Sequence, residues 1–182
     1  MKSSLWCAVA VLVAASSASA QPPAAGPHKA EMKKLDYLAG KWKGTAKITQ
    51  GPKGEVTVTQ TEDVQYRLDG VVMLVEGVGR GKLPGKDEDG VVFNALGVIS
   101  YDAAAKKHKI KAYRAEGQSV DADITLTEKG FVWGFKEPTR GVEVKYTLTI
   151  TPKGEWHEVG EYTLDGKAWT KFIEMTLTRV KE

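Results

Sequence analysis

The chain has 182 residues and a formal charge of +3, from 26 lysines and arginines against 23 aspartates and glutamates. Hydrophobic residues make up 42% of it and charged residues 27%, which excludes collagen-like and intrinsically disordered chains. Because the two signs of charge are interspersed, the sequence has no basic stripe of the kind that nucleic-acid binding requires, and we expect no nucleic-acid partner.

Residues 1–20 have the three-part layout of a secretory signal peptide. Lys2 provides a short basic start, an apolar run extends from Leu5 to Ala15, and the segment ends in Ala18-Ser19-Ala20. This ending predicts cleavage before Gln21. The apolar run has about 11 residues, fewer than the roughly 20 that a membrane-spanning helix needs. The sequence therefore predicts an exported protein, periplasmic or extracellular, with no membrane span.

A linker and a short helix follow the signal peptide. Residues 21–28 are rich in proline and alanine and are predicted to be a linker, while 29–182 are predicted to form one domain. Within that domain, Lys29–Ala39 has apolar residues at a spacing of three, and Gly40 supplies a stop. This pattern predicts one or two turns of helix at the start of the domain.

After Gly40, apolar and polar residues alternate in about ten segments separated by short turns. The predicted strands are 42–49, 55–66, 71–78, 96–101, 108–115, 119–127, 131–137, 142–151, 155–164 and 167–180. Short connections pair each strand with the next, and closing the sheet removes its two unpaired edges. The sequence thus predicts an all-β, antiparallel up-and-down barrel preceded by a short helix. The longest interruption, 79–92, is interpreted as a loop at one mouth of the barrel.

Strand parity predicts which side chains share the interior of the barrel. Trp133 and Tyr146 lie on the apolar or aromatic faces of their strands. Gln60 and Glu62 share a face with valines, so an internal position would place a carboxylate in an apolar cavity, where it needs a partner or a raised pKa. Arg114 is a candidate partner. The alternative is that Gln60 and Glu62 lie near a mouth and contact water.

In the ninth predicted strand, parity does not determine the inner face. Either His157 and Glu161 or Trp156 and Tyr162 could line the cavity, and Met175 on the tenth strand is a further candidate. On a strand, His157 and Glu161 stand about 13 Å apart, at roughly 3.3 Å per residue, so they cannot chelate one ion alone. With three histidines in the chain and no hydrolase or P-loop motif, we predict neither a metal site nor catalytic residues.

Two motifs at opposite ends of the predicted domain carry a resemblance. Gly40-Lys41-Trp42 follows the predicted helix, and Arg179 closes the last predicted strand. This arrangement resembles the calycin signature of lipocalins and their relatives. The resemblance implies that Trp42 plugs the closed end of a barrel and that Arg179 stacks on its ring, a cation–π contact that ties the two ends of the domain together.

A second resemblance covers nearly the whole predicted mature chain. It is carried by the segments 35–42, 59–62, 99–102, 133–135, 154–158 and 172–175. Together they are similar to a family of bacterial proteins of unknown function with a lipocalin-like barrel. More distantly, the chain resembles nitrobindin, a ten-stranded haem-binding barrel that opens with Gly-x-Trp and binds haem through a histidine. That likeness implies haem as an alternative cofactor, with His157 or Met175 as the axial ligand.

The leading functional hypothesis is an exported, non-enzymatic protein that binds a small apolar or amphipathic molecule inside the barrel. The candidate ligand-binding residues are Gln60, Glu62, Arg114, Trp133, Tyr146, His157 and Met175. Three alternatives stay open: the haem barrel, an enzyme using Glu62 with Arg114 or His157 as acid–base groups, and a filled barrel that acts through its outer surface. The sequence indicates no oligomeric state.

Overall fold

The computed structural model describes residues 26–49, 51, 54–83, 85–137 and 141–181. The predicted signal peptide, 1–20, lies outside these residues. Helix α1 spans Gly26–Met32 and continues into a 3-10 helix, Lys33–Leu38. The helix therefore begins three residues before the predicted start. Pro27 is tolerated there because it stands in the first turn, where the backbone N–H that proline lacks would have no partner within the helix. None of the helices in the described ranges is long and apolar enough to cross a membrane.

Ten antiparallel strands form one closed sheet. They are β1 Gly40–Thr49, β2 Glu55–Arg67, β3 Val72–Lys82, β4 Asp89–Asp102, β5 Lys107–Arg114, β6 Ser119–Thr127, β7 Gly130–Lys136, β8 Glu143–Ile150, β9 Trp156–Thr163 and β10 Thr170–Arg179. Each strand pairs with its neighbours in sequence, and β1 pairs with β10 to close the barrel. The predicted all-β, ten-stranded, up-and-down barrel with a preceding short helix is confirmed.

The predicted mouth loop, 79–92, is wrong over most of its length. β3 continues to Lys82 and β4 already begins at Asp89. Of the glycines that suggested a loop, Gly79 and Gly81 stand on β3 where a side chain of β2 comes close. A Cβ at Gly79 would lie 2.9 Å from Oε1 of Gln60 on β2. A Cβ at Gly81 would lie 3.0 Å from Cγ1 of Val58, also on β2, so these two glycines are strand residues that make room for β2 side chains.

The helical segment closes one end of the barrel and forms a packed core with it. Met32, Leu35 and Leu38 have no exposed surface. They pack in one hydrophobic cluster with inward-facing strand residues that are equally buried, including Met73 and Leu177. At this end the barrel is filled by its own side chains. The rest of the lumen encloses a cavity, which is the candidate functional site.

Candidate functional site

Trp42, at the start of β1, joins the helical plug to the barrel wall. Its indole Nε1 donates a hydrogen bond to the carbonyl of Leu38 at 2.7 Å, and 2% of the residue is exposed. The Arg179 guanidinium carbon lies 4.2 Å from the centroid of the Trp42 ring. The same guanidinium donates to the carbonyls of Tyr37, at 2.7 Å, and Ala39. Arg179 thus holds the last strand against both the tryptophan and the backbone that precedes it.

Gly40 completes this clasp for two physical reasons. Its φ of +119° lies in a region that residues with a side chain rarely adopt. A Cβ at this position would also stand 2.7 Å from Nη1 of Arg179. The structure therefore brings together the three residues of the predicted clasp, Gly40, Trp42 and Arg179.

Beyond the packed end, the lumen holds a cavity of about 790 Å³. Trp133, Phe135 and Tyr146 line it and are only partly buried, although they point into the barrel. Trp133 and Tyr146 stack with ring centroids 4.7 Å apart and planes 13° from parallel. The lining residue Arg114 stands at the end of β5 farthest from the helical plug. The cavity thus has aromatic walls that leave space between them.

A buried carboxyl group, Glu62, lies at the deep end of this cavity. Its residue is 7% exposed and stands opposite Trp42 and Gly77 in the sheet. Gln60 Nε2 donates a hydrogen bond to Glu62 Oε1 at 2.8 Å. Burial, together with the nearby negative charge of Glu158, raises the pKa of Glu62 to about 8. A Cβ at Gly77 would lie 2.8 Å from both Glu62 oxygens, so this glycine provides the room for the carboxyl.

A second carboxyl group, Glu158 on β9, lines the same cavity. Trp156 Nε1 donates a hydrogen bond to Glu158 Oε2 at 2.9 Å, and burial raises the pKa of Glu158 to about 6. The Trp156 ring meets the Trp42 ring edge-on, with centroids 5.7 Å apart. Among the described residues, no salt bridge reaches Glu62 or Glu158. The deep end of the cavity is therefore acidic.

Arg114 does not pair with Glu62, contrary to the predicted pairing. Its Nε donates to Glu116 Oε2 at 3.2 Å, and its guanidinium carbon lies 5.3 Å from the Phe93 ring centroid. The two residues lie at different depths in the lumen. Arg114 is the last residue of β5, at the mouth, whereas Glu62 stands opposite Trp42, near the plug. Glu62 receives its hydrogen bond from Gln60 instead. Arg114 remains a residue of the cavity entrance.

The predicted cavity residue His157 lies on the outer face of β9. Its Nε2 is 3.0 Å from Glu174 Oε1, and Glu161, on the same face, pairs with Lys145 at 2.9 Å. The inner face belongs to the alternating set that contains Trp156 and Glu158. His157 therefore cannot ligate a haem in the lumen or act with Glu62 as an acid–base pair.

The other predicted residues face the interior, at two different depths. Gln60 is buried beside Glu62, and Trp133 and Tyr146 form the cavity wall. Met175 is 6% exposed and packs in the hydrophobic core, outside the set of residues that line the cavity. With His157 outside and Met175 in the core, neither predicted axial ligand fits a haem in the cavity.

Glu158 is a cavity residue that the sequence analysis did not nominate. It shares strand parity with Trp156 and Tyr162, one of the two faces of β9 that stayed open. The available signal was a carboxylate two residues after Trp156 and four residues before Tyr162, on the same face of the strand. Had the inner face of β9 been known, that spacing alone would have placed a second acid beside the aromatic wall.

Comparison with protein-family models finds none that matches the chain, and a search of the curated proteins also finds no match. The closed, ten-stranded antiparallel barrel is compatible with a lipocalin-like fold. In the ranges that the structure describes, no three histidine, cysteine, aspartate or glutamate side chains are grouped closely enough to hold a metal ion. The functional argument therefore depends on the cavity itself.

Proposed function

We propose that this protein is an exported binder of a small amphipathic molecule, which it holds in the lumen of the barrel. The observation that carries the proposal is the cavity of about 790 Å³, bordered by aromatic side chains that point inward yet stay partly exposed. Ligand sites in proteins typically enclose about 300–1,000 Å³ and combine apolar walls with a few placed polar groups. This cavity has both properties.

Small residues on two strands support binding over the alternative of a filled barrel with a surface role. Ala95 and Gly97 on β4 and Ala112 on β5 line the cavity, between the larger residues of the packed end and the mouth. Larger apolar side chains at these positions would fill the lumen without burying any further polar group. The wall composition therefore favours an internal ligand.

Binding can be tested with N-phenyl-1-naphthylamine, an uncharged dye whose fluorescence rises in apolar surroundings. We expect the protein to bind one dye molecule, and Ala112→Phe to weaken binding at least about tenfold, equivalent to about 1.4 kcal/mol. The added ring occupies space that the dye needs. The measurement is a fluorescence titration of both proteins.

Thr125→Phe is the matched control for this titration. Thr125 is exposed on the outer face of β6, so the same ring is added outside the barrel. It should leave dye affinity within about threefold, a change of less than 1 kcal/mol. Absence of dye binding by the unaltered protein, or an equal loss in both variants, would contradict the proposed function.

Export is supported by the basic start, apolar run and Ala18-Ser19-Ala20 ending of the first twenty residues. We expect the full chain, expressed in a Gram-negative host, to be recovered outside the cytoplasm with Gln21 as its first residue. Ala20→Arg should block processing and leave the longer form. N-terminal sequencing of the fractionated protein measures this, and a cytoplasmic protein that retains residues 1–20 would refute export.

A further inference from the structure

The deep end of the cavity combines two acids with few donors. Glu62 on β2 and Glu158 on β9 line the same space, with one hydrogen bond each, from Gln60 and from Trp156. A carboxylate offers about four lone-pair positions, so most of the acceptor capacity of the pair is unused by these two donors. Across the described part of the chain, no lysine or arginine forms a salt bridge with either acid.

Acids without a countercharge are expensive to ionise in an apolar interior. The cost falls when a cation with several N–H donors enters the same space, because the charge is then paired and the vacant lone pairs are used. An ammonium group supplies three such donors. Above the acids, the stacked Trp133 and Tyr146 rings offer a surface to an apolar or aromatic body.

We propose that the ligand is an amine whose cationic head pairs with Glu62 and Glu158 and whose apolar body lies against the aromatic wall. This inference rests on the proposed function, and it adds the chemical class of the ligand. It also gives the orientation: head toward the helical plug, body toward the mouth.

The other titratable groups around the acids are consistent with a cationic head. Tyr146 is kept neutral by burial, which raises its pKa to about 12. His157 follows Trp156 in the strand but faces outward to Glu174, and Arg114 lies at the mouth with Glu116. The charge facing the deep lumen is therefore negative when Glu62 and Glu158 ionise, which disfavours a carboxylate ligand.

Amine binding should depend on pH in a definite direction. Because the pKa of Glu62 is raised to about 8 and that of Glu158 to about 6, the acids are largely protonated at pH 5.5 and ionised at pH 8.5. A primary alkylamine stays cationic over this range, so its affinity should rise with pH. An uncharged ligand of the same shape should show little change.

The test displaces N-phenyl-1-naphthylamine with three ligands that share one body: 4-phenylbutylamine, 4-phenyl-1-butanol and 4-phenylbutanoate. At about pH 8.5 we expect the amine to bind at least about tenfold more tightly than the alcohol, and the carboxylate to bind most weakly. Lowering the pH to about 5.5 should weaken the amine about tenfold and change the alcohol less than about threefold.

Neutral variants separate charge from shape. Glu62→Gln and Glu158→Gln keep the size of the side chain, and in each the ratio of amine affinity to alcohol affinity should fall at least about tenfold. Glu161→Gln is the matched control on the same strand as Glu158, since Glu161 pairs with Lys145 outside the barrel. It should retain the full preference.

The outcomes distinguish the two proposals. If neither the dye nor any phenylbutyl compound binds, the proposed function fails and the inference fails with it. If the dye binds but the alcohol or the carboxylate competes as well as the amine, the cationic head is refuted while the cavity function stands. An amine preference that survives both glutamine variants would likewise refute the assignment to Glu62 and Glu158.

Discussion

Replacing Trp42 with alanine is expected to lower the free energy of unfolding by about 4 kcal/mol, within the range for large aromatic residues in protein cores. The residue is 2% exposed and contacts both the Trp156 ring and the Arg179 guanidinium. Its loss also removes the indole donor to the carbonyl of Leu38. Equilibrium unfolding in urea, followed by circular dichroism, measures the change.

Trp169→Ala provides the comparison. Trp169 is partly exposed, and Lys145 Nζ lies 4.2 Å from the centroid of its ring. Removing it should lower the free energy of unfolding by about 1 kcal/mol. The loss of unfolding free energy for Arg179→Lys should lie between those of the two tryptophan variants. Lysine keeps the positive charge but lacks the planar guanidinium group. Equal losses at Trp42 and Trp169 would contradict the structural role of the clasp.

The stability of the unaltered protein is expected to fall as the pH rises from about 4.5 to about 8. Glu62 has an ordinary pKa of 4.5 when unfolded and about 8 when folded. Between these values the unfolded chain has lost a proton that the folded chain keeps, so a rise in pH favours unfolding. The total effect is on the order of 5 kcal/mol, because one pKa unit corresponds to about 1.4 kcal/mol. Glu158 adds a smaller effect of the same sign below about pH 6.

Glu62→Gln should flatten this profile. The variant is expected to be more stable than the unaltered protein at about pH 8.5, by a few kcal/mol, and similar to it at about pH 4.5. Urea unfolding at a series of pH values measures both curves. Glu174, whose pKa its partners Lys171 and His157 lower to about 2, acts with the opposite sign, but only below its ordinary value of 4.5.

The outer-face variant Glu161→Gln serves as the control for these curves, because it removes a carboxyl that pairs with Lys145 outside the lumen. It should retain the slope of the unaltered protein. A Glu62→Gln curve that runs parallel to that of the unaltered protein between about pH 5 and 8 would show that Glu62 ionises normally in the folded state.

The barrel could be predicted because its determinants are local. Each strand alternates over a few residues, and each is joined to the next by a short turn, so pattern and connectivity together favour one closed sheet. The boundary at 79–82 could not be predicted in the same way. A glycine can indicate either a loop or a strand position beneath a large neighbouring side chain, and the neighbours that decide between these here, Gln60 and Val58, lie on another strand.

The site was predicted less fully because local sequence does not determine how deep in the lumen a residue lies, or which face of its strand points inward. Parity placed Gln60 and Glu62 together, but it did not show that Arg114 stands at the opposite end of the lumen from Glu62. On β9 both faces carry charged or aromatic residues, so the sequence did not show whether the face with His157 or the face with Glu158 lines the lumen. Closure of the barrel determines which one does. Only the three-dimensional register resolves such ties.

The pairing of β1 with β10 has a consequence for the order of folding. The hydrogen bond from Arg179 to the carbonyl of Tyr37 joins residues 142 positions apart. Until β10 has been synthesised, β1 has one neighbour and an open hydrogen-bonding edge that can join another chain. Long-range closure of this kind is slow, since its entropy must be lost before any contact compensates it. The nascent polypeptide therefore keeps an edge that can pair with other chains until its last strand is complete.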